Sequence, residues 1–250
     1  GASLTYADAV RLSKDFAAYL QSRPDLQPGD RVALMMPNLL QYVIAVFGIL
    51  RAGMTVVNIN PLYTAREVHH TLRDSGAKAV VIIENFAHTL EQALPDTKCS
   101  NVILTGAGDM LPFPKRELVN FIIRRVKKMV KPYSIPGAVW WRDALAQGAR
   151  TGFRPVEVSS SDLAFLQYTG GTTGVAKGAE LTHRNIIANI LQVSAWISVN
   201  FEQGKETVLT ALPLYHVFSL TATLVFTNWA AEMVLITNPR CVETGLDLNA

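Results

Sequence analysis

The sequence has few cysteines, little excess charge of either sign and no long apolar run. Its two cysteines, Cys99 and Cys241, lie too far apart for a metal or redox motif, which is typical of a protein from a reducing compartment. The net charge of +3 is too small to indicate a nucleic-acid partner. No apolar run reaches the roughly 18 to 20 residues of a membrane span, so we expect a soluble chain.

Apolar residues are abundant and follow a regular order. A hydrophobic fraction of 49% with 17% charged residues excludes disordered, collagen-like and disulfide-scaffold classes. Extended and helical patterns alternate over the first 105 residues, which favours an α/β fold around a mostly parallel sheet. The predicted helices are 6–21, 40–52, 65–75 and 86–94, and the predicted strands are 31–36, 54–59, 79–83 and 101–105.

The segment from Lys115 to Lys131 is both basic and apolar, with seven Lys or Arg residues and one acid, Glu117. On a helix, its apolar residues form one stripe and its basic residues lie opposite, with Phe121 on the charged side. The simplest interpretation is a helix packed on the core with a solvated basic face. The alternative is a helix on an anionic membrane, with nucleic-acid contact as a third option. The predicted membrane-surface residues are Phe121, Arg124, Arg125, Lys127 and Lys128.

A glycine- and threonine-rich segment follows the strand-like run 163–167. Glycines let successive backbone N–H groups converge on an anion, threonine hydroxyls add donors, and a lysine adds a mobile cation. The common nucleotide signature is absent, because Lys177 stands three residues after Gly174 and is followed by Gly178. The chain then resumes as an extended piece before Thr182 offers a helix N-cap. The segment is therefore predicted to be a phosphate-binding flap between two strands.

This segment, Tyr168 to Gly178, closely resembles the phosphate-binding signature of the adenylate-forming ligases, which include acyl-CoA synthetases, peptide-synthetase adenylation domains and luciferases. Further matches are Leu4-Thr5-Tyr6, Met36-Pro37-Asn38 and the run from Ala211 to Phe218. The runs 58–64, 176–179 and 181–185 are most similar to bacterial long-chain fatty-acid-CoA ligases. The resemblance extends to Arg240.

The resemblance implies a reaction in two steps. A fatty carboxylate attacks the α-phosphate of ATP and expels pyrophosphate, and the thiol of coenzyme A then displaces AMP. ATP, a fatty acid and coenzyme A are therefore the expected substrates, with Mg²⁺ on the phosphates and its protein ligands unassigned. The use of ATP and coenzyme A implies a cytoplasmic enzyme, with any membrane contact peripheral and on the inner face.

The resemblance also assigns the site residues. His216 is expected to be catalytic, with Tyr215, His216 and Phe218 at the carboxyl end of the substrate and residues 220–226 along the acyl tunnel. The adjacent His69 and His70 cannot share one metal on a helix and are expected to be solvated. The expected nucleotide-binding residues are Tyr168, Thr169, Gly170, Gly171, Thr172, Thr173, Gly174 and Lys177, with Thr172 and Thr173 as hydroxyl donors.

The resemblance covers only the amino-terminal portion of such a ligase. The adenine-binding block, the ribose-binding aspartate, the hinge and the small carboxy-terminal domain with its catalytic lysine have no match. We therefore expect incomplete, layered α/β lobes of the large domain, with 26–200 as one lobe and 1–25 with 205–250 as parts of a second. The chain alone is expected to be inactive, and an incomplete second sheet would favour self-association into a homo-oligomer.

Two other functions remain open. The first is a ligase of the same kind for another carboxylic acid, either aromatic or short-chain, which the pocket volume beyond Phe218 would decide. The second is a non-catalytic fragment that binds nucleotide or membrane, in which the segment from Lys115 to Lys131 is the active element.

Overall fold

The computed structural model describes residues 1–169 and 176–237. The predicted phosphate-binding residues Gly170 to Gly174 lie outside the described residues, as do residues 238–250. The helices are α1 Tyr6–Gln21, α2 Leu40–Arg51, α3 Ala65–Ser75, α4 Ala87–Ala93, α5 Lys115–Phe121, α6 Trp141–Thr151, α7 His183–Ile197 and α8 Val217–Asn228. The strands are β1 Arg31–Met35, β2 Thr55–Asn58, β3 Ala79–Ile83, β4 Asn101–Thr105, β5 Val139–Trp140, β6 Leu163–Thr169, β7 Lys177–Thr182, β8 Thr207–Thr210 and β9 Glu232–Leu235.

Seven strands form one sheet in the order β5-β4-β3-β1-β2-β6-β7. All neighbours in it are parallel except β6 and β7, which are antiparallel. Strands β8 and β9 form a separate parallel pair. The predicted α/β fold with a mostly parallel sheet is therefore confirmed.

Strands β1 to β4 of the large sheet are buried on both faces, and alternate residues of each strand point to opposite sides. Val32 and Leu34 of β1 belong to the core cluster that α1, α2, α6 and α8 cover. Ala33 and Met35 belong to the cluster under α3 and α4. The helices thus form one layer on each side of the sheet.

The ends of two predicted helices are confirmed by their caps. Thr64 and Glu67 bond reciprocally at the start of α3, and Gly76 ends it with φ of 63°, which glycine adopts without steric cost. Thr182 caps α7 in the same way with Asn185. These local signals fix the residues at which α3 and α7 begin.

The basic segment differs from its prediction. Helix α5 ends at Phe121 and continues as one π-helical turn, Ile122–Val126. Lys128 then has φ of 49°, a left-handed conformation that stops a helix. The predicted helix to Lys131 is therefore wrong in its last five residues. No residue of α5 or the π-helical turn is fully buried. Val119, Ile122 and Ile123 are half-buried, whereas Leu118 and Val126 are exposed, so only part of the predicted apolar stripe packs on the protein.

Helix α1 packs against α2 and α6, and its Tyr6 hydroxyl donates to the carbonyl of Ala231, 2.7 Å away, next to β9. The division of the chain into a lobe at 26–200 and a second lobe from 1–25 and 205–250 stays a prediction.

Over the described ranges, no helix is long and apolar enough to cross a membrane.

Candidate functional site

The predicted phosphate-binding segment joins the two strands of a hairpin. Strands β6 and β7 pair with Tyr168 opposite Gly178 and Thr169 opposite Lys177. Thr169 and Lys177 are both exposed, so the end of the hairpin is accessible to a ligand. The prediction that the segment lies between two strands is confirmed. The binding of phosphate by residues 168–177 stays a prediction.

Helix α3 holds both sides of the hairpin. The Tyr168 hydroxyl donates to Asp74 Oδ2 at 2.5 Å, and His70 Nε2 donates to the carbonyl of Ala176 at 3.0 Å. Burial, with Asp74 as a second cause, raises the pKa of Tyr168 above its usual value. A Cβ atom on Gly178 would lie 3.0 Å from Tyr168 Cζ, which explains a glycine opposite this ring. The residues just before and just after the undescribed segment are thus fixed to one helix.

The expectation that His69 and His70 are solvated is wrong. Both are half-buried, and His69 Nδ1 lies 3.0 Å from the carbonyl of Ala93. One nitrogen of each ring bonds a backbone carbonyl that is distant in sequence. The apolar pattern of the helix does not show such contacts.

Gln167 connects the hairpin to the segment that precedes His216. Its Nε2 donates to the Tyr215 carbonyl at 2.6 Å, and its Oε1 accepts from Asn58 Nδ2 at 3.0 Å. Gln167 and Asn58 are 5% and 3% exposed, so these bonds are shielded from water. These bonds link β6 to the backbone beside His216.

Two side chains near the start of α2 hold the same segment from its other side. Asn38 Nδ2 donates to the carbonyls of Thr210 and Leu212 at 3.1 and 2.9 Å, and Asn38 Oδ1 accepts from Leu214 N at 2.8 Å. The Tyr42 hydroxyl lies 2.9 Å from the Leu214 carbonyl. Burial raises the pKa of Tyr42. Its one hydroxyl proton is shared between this carbonyl and Asn58 Oδ1, which lies 2.7 Å away.

The predicted substrate residues lie at the start of α8. His216 precedes the helix and is exposed, and Phe218 is 65% exposed. Tyr215 is half-buried, and burial raises its pKa. The fold therefore brings the Tyr215 backbone to the hairpin and leaves the His216 and Phe218 side chains accessible. The catalytic role of His216 stays a prediction.

The residues that position this segment were missed by the sequence reasoning. They share one signal, which is an amide or hydroxyl side chain inside or next to a buried apolar run. Asn58 ends the buried strand β2, and Gln167 interrupts the apolar run of β6. Buried polar side chains need partners, so such positions indicate a long-range hydrogen bond even when its partner is unknown. The missed residues are Asn38, Tyr42, Asn58 and Gln167.

The predicted membrane-surface residues do not join this site. Helix α5 bonds to a residue after β4 and the π-helical turn to a residue after β3, and in the sheet β4 is separated from β6 by β3, β1 and β2. For Mg²⁺, the described part of the chain contains no group of three or more His, Cys, Asp or Glu side chains able to hold a metal. Mg²⁺ commonly binds through substrate phosphates with few protein ligands, so its ligands here stay unassigned.

Comparison with known proteins identifies the family. The sequence model of the family described as AMP-binding enzyme matches residues 1–246. The chain belongs to this AMP-binding family. A long-chain-fatty-acid–CoA ligase of Salmonella typhimurium is 55% identical over 241 residues, which are 96% of this chain and 43% of that relative. One from Haemophilus influenzae is 54% identical over 247 residues, covering 97% of this chain and 44% of the relative.

The fold comparison agrees with the sequence comparison. The crystal structure of a long-chain-fatty-acid-CoA ligase from Archaeoglobus fulgidus superposes with a TM-score of 0.74 at 24% identity, over 94% of this chain and 41% of that one. This AMP-binding chain therefore spans less than half the length of the relatives it matches, and its fold is an incomplete large domain of the acyl-CoA ligase type.

Proposed function

We propose that this chain is the amino-terminal portion of a ligase that uses ATP to convert a long-chain fatty acid to an acyl-adenylate and then to an acyl-CoA thioester. The observation that carries the proposal is the 55% identity, across 96% of the chain, with the long-chain-fatty-acid–CoA ligase of Salmonella typhimurium. A second long-chain ligase, from Bacillus subtilis, is 34% identical over 239 residues. A rice 4-coumarate–CoA ligase-like protein is 33% identical, so the support for a long-chain acid over an aromatic or short-chain acid comes from the relative at 55%.

The proposed task of the hairpin is to hold the β- and γ-phosphates of ATP. Thr169 and Lys177 face each other across its end and are exposed. Thr172 and Thr173 would add hydroxyl donors, and Gly170, Gly171 and Gly174 would let backbone N–H groups approach. Mg²⁺, bound by the phosphates, would neutralise charge that develops as pyrophosphate leaves.

The proposed task of the Tyr215 to Phe218 segment is to hold the carboxyl end of the acid. The Gln167 bond to the Tyr215 carbonyl supports a fixed relation between this segment and the hairpin. A fixed relation would favour in-line attack of the carboxylate on the α-phosphate of ATP, because the two groups must meet in one orientation. His216 would donate toward the carboxylate, and Phe218 would border the acyl chain.

We further propose that the 250 residues alone do not form acyl-CoA, because blocks that bind adenine and ribose and the mobile small domain have no match in them. The coenzyme A site, the cytoplasmic location, self-association and the two-lobe division belong to the same proposal. Purified alone, the chain is expected to release no pyrophosphate from ATP and palmitate. A chain extended through the missing blocks is expected to turn over palmitate in preference to benzoate or acetate, and a preference for benzoate or acetate would contradict the long-chain assignment.

The phosphate assignment is testable on the chain itself. Lys177→Ala should weaken binding of Mg-ATP by at least about tenfold, because it removes a charged donor from the phosphates. Isothermal titration calorimetry measures the affinity, and Lys205→Ala is the matched control, since Lys205 is exposed and pairs only with Glu202 among the described residues. Equal affinities of Lys177→Ala and wild type would refute the assignment.

A further inference from the structure

Two side chains of α3 bond the two sides of the β6–β7 hairpin. His70 and Asp74 are four residues apart, so they lie on the same face of the helix. Asp74 Oδ2 accepts from the Tyr168 hydroxyl of β6 at 2.5 Å, and His70 Nε2 lies 3.0 Å from the carbonyl of Ala176, which precedes β7. Since a carbonyl oxygen only accepts, His70 Nε2 carries the proton and donates. One helix is thus bonded to both sides of the hairpin at its end.

Helix α3 is itself held firmly by the fold. Its Val68 and Leu72 are 0% exposed and belong to one core cluster of the large sheet. A reciprocal cap fixes its first turn. The Tyr168 ring belongs to the same core cluster, so the bond to Asp74 is made by a hydroxyl whose ring is already packed. The helix therefore offers a fixed support for the hairpin.

The Tyr168 ring connects the two strands of the hairpin as well. Tyr168 is opposite Gly178 in the register, and a Cβ atom on Gly178 would lie 3.0 Å from Tyr168 Cζ. The glycine leaves room for the ring to lie against β7. The next pair in the register is Thr169 and Lys177, the two exposed residues that are proposed to meet phosphate. Bonds to α3 at Tyr168 and Ala176 therefore act on the residues adjacent to that pair.

Charge alone does not explain an acid at this place. Asp74 is exposed and belongs to the support of a hairpin that is proposed to bind a polyanion. Like charges repel, so an electrostatic account predicts that removing Asp74 strengthens the binding of ATP. A positioning role predicts the opposite result.

We propose that His70 and Asp74 are positioning residues for ATP, which hold Thr169 and Lys177 opposite each other for the β- and γ-phosphates. Neither side chain contacts the phosphates itself. The gain is pre-organisation, because donors that are already in place lose less conformational freedom when the ligand binds. The inference rests on the proposed function, since it takes the end of the hairpin as the phosphate site.

Isothermal titration calorimetry with Mg-ATP tests the proposal on the 250-residue chain. Asp74→Ala and, separately, His70→Leu should each weaken binding about five- to tenfold, even though Asp74→Ala removes a repulsive charge. Asp74→Asn keeps an oxygen that accepts from the Tyr168 hydroxyl, and His70→Gln keeps an amide donor for the Ala176 carbonyl. Both conservative variants should bind within about twofold of wild type.

Two controls make similar changes nearby. His69→Leu removes the neighbouring imidazole of α3, which bonds the carbonyl of Ala93 at the end of α4. Glu180→Ala removes an exposed acid of β7. Both controls should bind Mg-ATP within about twofold of wild type. Circular dichroism checks that every variant is folded.

Two further measurements separate positioning from direct charge contact and from general loss of stability. His70→Leu should leave the salt dependence of Mg-ATP binding as it is in wild type, whereas Lys177→Ala should reduce it, because the lysine provides a charge to the phosphates. In the free chain, hydrogen exchange at amides 177–179 should be faster in Asp74→Ala and His70→Leu than in wild type and in His69→Leu.

Three results would overturn the proposal while wild type binds Mg-ATP. They are an affinity of Asp74→Ala and His70→Leu that equals or exceeds that of wild type, losses in the controls as large as in these variants, and unchanged hydrogen exchange at amides 177–179. A loss in Asp74→Asn as large as in Asp74→Ala would also overturn it and would assign Asp74 to the metal. Failure of wild type to bind Mg-ATP would instead refute the phosphate assignment, and this inference with it.

Discussion

Asn38→Ala is expected to lower the free energy of unfolding by about 2 to 4 kcal/mol, because one buried side chain serves three backbone groups. Asn38 is 3% exposed, and it bonds the carbonyls of Thr210 and Leu212 and the N–H of Leu214. Alanine leaves the Leu214 N–H without its partner in the interior and removes one of two bonds at each carbonyl, since Ile236 N still donates to Thr210 O and Ser219 Oγ to Leu212 O. Denaturant unfolding measures the loss, and hydrogen exchange at Leu214 should become much faster.

Two further variants sharpen this prediction. Asn38→Asp keeps the acceptor for Leu214 N but directs a carboxylate at two carbonyls, so it should be at least as destabilising at neutral pH. Asn60→Ala is the control for the same chemical change at a half-buried position, where the Asn60 side chain accepts one bond, from Leu62 N, among the described residues, and its effect should stay below about 1 kcal/mol. Similar losses for Asn38→Ala and Asn60→Ala would contradict the positioning role of Asn38.

Arg124→Ala is expected to cost about 2 to 3 kcal/mol at neutral pH, because it leaves the Glu84 carboxylate buried without its partner. The expected loss is below that of a fully buried pair, since the Arg124 side chain is 40% exposed and solvent screens it. The guanidinium also lies 5.0 Å from the centre of the Trp140 ring, and this contact is lost as well. Chemical denaturation measures the loss of unfolding free energy. Arg125→Ala, which removes a neighbouring exposed arginine, is the control variant.

The same variant should show a defined pH dependence. Burial raises the pKa of Glu84 above its ordinary value of 4.5, and the contact with Arg124 opposes that rise. Without Arg124 the pKa rises further, so the folded state binds the Glu84 proton more tightly than the unfolded chain does. The stabilisation that this proton provides is complete below the pKa of Glu84 in the unfolded chain. It is lost as pH rises through the pKa of Glu84 in the folded state. The gap between variant and wild type should therefore be smallest in acid and widen toward neutral pH, whereas a constant gap would contradict the assignment.

The elements that the sequence predicted well depend on local chemistry. The alternation of apolar strands and helices depends only on residues that are close in sequence. The same holds for the Thr64 and Thr182 caps and for the end of α3 at Gly76. The hairpin of β6 and β7 was predictable because a glycine-rich polar segment separates two extended runs. Family membership was predictable for a similar reason, since its signature lies in one continuous stretch.

The missed features depend on residues that are distant in sequence. Asn38 meets Leu214 across 176 residues, and Arg124 meets Glu84 across 40. Periodicity shows that the 115–131 segment has an apolar side, but it does not show which side faces the protein. That choice is made by the bonds of Asn120 and Arg124, and the sequence pattern of the helix contains no information about their partners.

The proposed phosphate site at the end of the β6–β7 hairpin can be observed in a crystal structure of the chain with Mg²⁺ and a non-hydrolysable ATP analogue. We expect β- and γ-phosphate oxygens within hydrogen-bond distance of the Thr169 hydroxyl, the Lys177 ammonium group and the backbone between them. An ordered triphosphate bound at any other place on the chain would contradict it.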